Sequence, residues 1–248
     1  MLMEQTVEKM NAMKLGGMVA ALERQRTAPE HARLSFDERL GLLIDGEWMA
    51  REQRKLQIRL RAAKLRHPAS VENIDFRQPR GLDRAQVLSL ADCGFVQSRH
   101  NLLITGPTGI GKSYLACAFV ERACRRGFKA AYLRLPPLLQ QLAVARGDGS
   151  YARVLDRLAR FDLLAIDDWL LAPLRDAERR DLAEIVEERS ERGSTLVASQ
   201  LPVKDWHASI GDPNLADSIC DRLAHNAHRI ELKGHSMRRT KAEPKDAK

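Results

Sequence analysis

The run Gly106-Pro107-Thr108-Gly109-Ile110-Gly111-Lys112-Ser113 constrains the fold more than any other stretch of the 248 residues. It fits GxxxxGK[ST] and stands between a strand-like segment, "NLLIT", and a helix-like one, "SYLACAFVERAC". A strand that turns through glycines directly into a helix is the first half of a strand–helix–strand unit, which commits the chain to a parallel sheet. The glycines let the backbone curl until its N–H groups face one point, where the helix N-terminus adds partial positive charge. Lys112 is then placed to reach the β- and γ-phosphates of a nucleotide, and the Ser113 hydroxyl to ligate Mg²⁺.

Such a loop needs a carboxylate at the end of a neighbouring strand to hold the magnesium shell, and "FDLLAIDDW" supplies it. Asp167 closes the apolar run as the metal-side acid, and Asp168 is positioned to orient or deprotonate an attacking water. The alternative is that the two acids cap the next helix. Downstream, "STLVASQLP" ends in Gln200, whose amide could hold a water beside the γ-phosphate. Arg222 and Arg238 are further candidates for a phosphate contact, although on residues alone both read equally well as surface arginines. Five short apolar runs, Leu102–Thr105, Ala130–Leu133, Leu163–Ile166, Thr195–Ala198 and Arg229–Leu232, alternate with helical patterns. That alternation predicts a parallel sheet covered on both faces.

The organisation predicted is a helical N-terminal domain over 1–67, a linker over 68–82 with Pro79 and Gly81 as breakers, a core over 83–240 and a basic, fraying tail over 241–248. Ser35 and Glu38 have capping-box spacing for the second N-terminal helix. "REQRKLQIRLRAAKLRHP" reads as a third, stopped by Pro68, with seven Lys and Arg against the single acid Glu52. A solvated basic face and a DNA or transposase contact both fit that run. "RAQVLSLADCGF" reads as one more helix before the core.

The whole chain has 41 Lys plus Arg against 33 Asp plus Glu, a net +8 that favours polyanionic partners without identifying one. No stretch approaches the roughly 18 uninterrupted apolar residues of a membrane span, and the first residues lack the basic-then-apolar pattern of a secretory signal. A cytoplasmic protein with no membrane partner is the expectation. Cys93, Cys117, Cys124 and Cys220 form no CxxC pair, and His225 and His228 have no matching Cys or carboxylate cluster, so metal-ligand spacing is absent. Trp48, Trp169 and Trp206 are read as packing residues.

Taken in order, the helical N-terminal segment, "GPTGIGKS", "LLAIDDW", "STLVASQLP", "LADSICDRL" and "HRIELKGHSMR" resemble the IstB family of insertion-sequence ATP-binding proteins, relatives of the helicase loader DnaC in the AAA+ class. The likeness runs from "MKLGGMVAAL" to "SMRR". It implies an α/β AAA+ core after a small all-α domain, with no sizeable C-terminal lid. It implies ATP and Mg²⁺ as cofactors, held by residues 106–113 and Asp167. Catalysis would fall to Lys112 and Asp168, with Gln200 as polar sensor, Arg222 as a finger acting on a neighbouring subunit and Arg238 as a weaker second sensor. Two departures from the general AAA+ pattern bear on hydrolysis rate: Asp168 stands where Glu is commoner, and Gln200 where Asn is. The function implied is an ATPase that forms a homo-oligomer on duplex DNA, without strong sequence preference, and presents that DNA to a partner transposase. A DnaC-like helicase-loading adaptor is the alternative, and a P-loop kinase acting on a small molecule is a third reading.

Overall fold

The computed structural model describes residues 2–237, and the chain falls into two compact units divided between Ile58 and Arg59. Arg238 and the basic tail lie outside the described residues.

The first unit is built on α1 (Leu2–Ala12), α2 (Gly16–Thr27) and the larger part of α3 (Phe36–Ala63). Two glycines let α2 and α3 touch backbone to backbone: a Cβ on Gly17 would lie 2.6 Å from the Gly46 carbonyl oxygen, and one on Gly46 2.8 Å from the Ala21 Cβ. Glu47, on the same turn, accepts from the Gly17 and Met18 amides at 2.8 and 3.2 Å, satisfying donors that the start of α2 leaves free. The capping box is present, with the Ser35 amide donating to Glu38 Oε2 at 2.7 Å and the Glu38 amide to Ser35 Oγ at 3.3 Å.

The second and third helices expected from the sequence are one. A change from mixed to basic composition near Arg51 is not a helix stop, since nothing there removes a donor or forces an unusual φ. The helix ends at Ala63, five residues ahead of the predicted stop at Pro68, because Lys64 takes the left-handed conformation at φ +52°. Trp48 is 67% exposed, contrary to its reading as a packing residue.

In the second unit the segment read as a linker contributes Ala69, Val71, Ile74 and Arg80 to the interior. The single helix expected next is two, α4 (Arg84–Ala91) and α5 (Gly94–Gln97), divided where Cys93 adopts φ +61°. Five parallel strands follow: β1 (Asn101–Thr105), β2 (Ala130–Arg134), β3 (Leu163–Trp169), β4 (Ser194–Ser199) and β5 (Ala227–Glu231), side by side in the order β2-β3-β4-β1-β5. The helices between them are α6 (Lys112–Arg125), α7 (Leu135–Asp148), α8 (Tyr151–Ala159), α9 (Asp176–Arg189), α10 (Trp206–Ile210) and α11 (Pro213–Ala224).

Strand side chains alternate between faces, and both faces are covered. Leu103, Leu164, Ile166 and Val197 join the apolar cluster formed with α7, α8, α9 and α11, while α6 lies along the four strands β1 to β4. Trp169 and Trp206 are buried against each other, ring centroids 5.5 Å apart. The fold is therefore the α/β class that the sequence pattern predicts. Among the described residues no helix is long and apolar enough to cross a membrane.

Because β1 lies between β4 and β5, the loop leaving its C-terminal end opens where the order of strands reverses, with the ends of β3 and β4 alongside. In open parallel sheets such a crevice is where ligands bind.

Candidate nucleotide site

Three of the loop glycines occupy conformations that other residues adopt only under strain: φ is +146° at Gly106, +80° at Gly109 and +105° at Gly111. Gly111 also caps α6, so the loop runs straight into the helix N-terminus. The Gly106 amide donates to the Ser199 carbonyl at 3.2 Å, which ties the start of the loop to the end of β4.

Lys112 folds back over the loop, its Nζ donating to the carbonyls of Gly106 at 2.7 Å and Pro107 at 2.8 Å. The side chain is buried, which pulls its pKa down, while the negative charges of Asp167 and Asp168 act in the opposite sense. An ammonium held by neutral carbonyls beside two acids is a cation placed for an anionic ligand. Ser113, half-buried on the first turn of α6, stands beside it in sequence.

Asp167 is 2% exposed and accepts a hydrogen bond from the Tyr132 hydroxyl on the neighbouring strand. Burial, and then that hydrogen bond, push the Tyr132 pKa up, so the phenol stays a donor. Asp168 has φ +56°, which turns it out of the strand where the pairing of β3 with β4 is irregular. Its Oδ2 accepts from Arg134 Nε at 2.6 Å. The next helix, α9, begins at Asp176 with its own cap from Arg175 and Glu178, so Asp167 and Asp168 do not serve as a helix cap. Gln200 follows β4 and accepts from the Thr108 hydroxyl at 2.7 Å, bridging the ends of β1 and β4.

Lys112, Ser113, Asp167, Asp168 and Gln200 thus gather at one end of the sheet. Arg222 does not join them. It sits near the end of α11, where its carbonyl accepts from Asn101 Nδ2 at 2.9 Å, and Asn101 starts β1 at the end opposite the loop. Its guanidinium pairs with Glu187 and donates to Ser218 Oγ at 2.7 Å. Arg238 lies outside the described residues.

Sequence reasoning missed Tyr132 and Arg134. They are alternate residues of β2, and parallel pairing sets Arg134 beside Asp167 in register. Two polar side chains closing an otherwise apolar strand were the available signal. It became specific only once β2 was known to lie next to β3.

A family profile described as IstB-like ATP binding protein matches residues 8–244. The chain belongs to the IstB-like ATP-binding proteins. A protein of Sinorhizobium fredii named as an insertion sequence ATP-binding protein, y4pL, is 50% identical to it over 239 residues, covering 96% of this chain and 98% of the relative. One of Pseudomonas fluorescens, named as the ATP-binding protein of insertion sequence IS1162, is 46% identical over 203 residues, 82% and 88% of the two chains. Among solved structures this IstB-like chain is similar in fold to DnaI, with TM-score 0.59 and 20% identity over 67% of this chain and 92% of that one. The DnaC helicase loader gives TM-score 0.57 and 16% identity over 66% and 97%. At those identities the likeness establishes the AAA+ fold, and the loop geometry agrees with the family's ATP binding.

Proposed function

We propose that this protein is an ATPase that assembles on duplex DNA in its ATP state and presents that DNA to a partner transposase. The observation carrying the reading is the division of the ATPase residues between the two ends of one sheet, with the phosphate loop and both acids at one end and Arg222 at the other.

The donor set fits ATP with Mg²⁺. Ser113 Oγ and the Asp167 carboxylate are hard oxygen ligands of the kind magnesium prefers, and Lys112 adds a compact cation beside them. When bound there, held by Ser113 and Asp167, Mg²⁺ would supply positive charge to offset the negative charge that develops on the phosphate oxygens. Lys112 exchanges the Gly106 and Pro107 carbonyls for phosphate oxygens. Tyr132 holds Asp167 in one orientation. Asp168 accepts a proton from the attacking water after release from Arg134, and Gln200 orients that water through its amide. Arg222, too far along the sheet to serve its own loop, stabilises charge in the site of an adjacent subunit, so assembly and hydrolysis depend on each other.

The surface supports a polyanionic partner. The chain carries net +8, and Arg54 and Arg61 on α3 are exposed, whereas Arg51 and Lys55 pair with Glu47 and Glu52. Backbone phosphates carry no sequence information, so binding is expected to be largely non-specific. The insertion-sequence context of the named relatives supports a transposase as the partner.

The test is duplex binding as a function of salt with no nucleotide, ADP, ATP and a non-hydrolysable ATP analogue, followed by sizing of the complex. A large, salt-sensitive assembly seen only with ATP or the analogue is expected. Binding that is absent or indifferent to nucleotide overturns this reading and favours a protein-docking adaptor.

A further inference from the structure

A phosphate cradle turns the N–H groups of its loop inward, and the same peptides turn carbonyls outward into the protein. Buried carbonyls need donors. Lys112 Nζ serves Gly106 and Pro107, the Met237 amide serves Gly109 at 2.9 Å, and Arg80 Nη1 serves Ile110 at 2.8 Å. These partners differ in permanence. Lys112 must leave its carbonyls to reach a phosphate, whereas Arg80 and Met237 lie behind the loop and have no such task.

Arg80 is 5% exposed, and its Nη2 donates to the Asp75 carbonyl at 3.0 Å. Among the described residues it makes no ion pair: Asp75, the acid whose charge it feels, pairs with Arg77 instead. Its Nε is buried without a partner, and burial pulls its pKa down. An interior cation so poorly compensated is costly to the fold. Its position shows what it serves, because a Cβ on Gly111 would stand 2.5 Å from Nη1. The glycine before Lys112 is thus in contact with the guanidinium.

The same residue reaches the strap that follows β5. The Lys233 amide donates to the Arg80 carbonyl at 2.9 Å, and a Cβ on Gly234 would lie 3.1 Å from the Pro79 carbonyl oxygen. At the far end of the strap, Ser236 lies against Gly109, so that a Cβ there would come 2.9 Å from the Ser236 Cβ. Loop, Arg80 and strap close a hydrogen-bonded circuit.

We propose that Arg80 is a positioning residue of the phosphate loop: it holds the Ile110 carbonyl outward and links the loop to residues 233–237, so that phosphates bound at the loop stiffen the strap. This rests on the ATP-binding reading of the loop. Lysine cannot replace it, because one ammonium does not span two carbonyls from separate segments in the plane that a guanidinium does.

The experiment uses the full chain and its Arg80→Lys variant, with ATP and ADP affinities measured beside amide hydrogen exchange at Lys233 and Met237. In the wild type, ATP with Mg²⁺ slows exchange at both amides. Arg80→Lys retains a cooperative thermal transition, binds ATP and ADP about tenfold more weakly, and at saturating ATP shows no slowing in the strap. A merely structural arginine would leave the strap's response to ATP intact, and that result overturns the proposal. So does wild-type exchange that ignores bound ATP, a measurement that decides the matter even if the variant fails to fold. A wild type that binds no ATP is a different failure, since it removes the nucleotide reading itself.

Discussion

The two ends of the central strand differ in completeness. At the C-terminal end of β1, a loop with its lysine, two acids and an amide from three separate segments converge, and nearly every loop carbonyl has an identified donor. At the N-terminal end, Arg222 pairs with Glu187 and donates to Ser218, at the opposite end of β1 from the phosphate loop. The framework at that end is nonetheless rigid. Arg189, 2% exposed, donates to the Leu158, Phe161 and Ser194 carbonyls and to Thr195 Oγ1, and burial pushes its pKa down to about 10. On the function proposed above, Arg222 at one end and the phosphate loop with its acids at the other would be the two halves of one site divided between two copies.

The largest effect expected comes from removing the far end. Arg222→Ala is predicted to lower kcat for ATP by about 10³-fold, in the range of other arginine fingers, with ATP affinity within about twofold of wild type. Steady-state hydrolysis and equilibrium binding on the same preparation separate the two. Next is the near end: Lys112→Ala loses the one mobile cation of the cradle and is expected to weaken ATP binding by roughly 10- to 100-fold, read by calorimetry.

Smaller effects sharpen the comparison. Arg134 and Asp168 form a partly exposed pair, worth no more than about 1 kcal/mol, that on the proposed mechanism would hold the acid away from the attacking water. Arg134→Ala is therefore expected to raise DNA-free ATP turnover by about two- to fivefold. A fall in turnover would instead make Arg134 part of the working site. Glu187→Gln, which frees Arg222, is expected to change turnover by no more than about twofold, and only at protein concentrations that allow subunits to meet.

Much of the near end was legible in the sequence because its requirements are local. GPTGIGKS carries its own geometry, and Asp167 and Asp168 are adjacent residues closing an apolar strand. Strand positions were legible for the same reason, since the runs are short, apolar and bounded by helices. What was not legible depends on neighbours distant in sequence. Tyr132 and Arg134 acquire meaning only from the β2–β3 pairing, and Arg80 lies in "RQPRGLD", where the breakers Pro79 and Gly81 suggest a loop and hide a buried side chain. The unbroken α3 was missed because charge density is a weak guide to helix ends, which are set by φ at single residues such as Lys64.

The most direct test of the divided site is complementation between its two halves. Arg222→Ala and Lys112→Ala proteins, each impaired alone, are mixed over a range of ratios with DNA and with ATP below the dissociation constant of the Lys112 variant, and hydrolysis is followed. Activity above that of either variant is expected to appear on mixing and to peak at an intermediate ratio, because an intact loop then meets an intact arginine. Hydrolysis that stays at the level of the separate variants at every ratio would contradict the divided site.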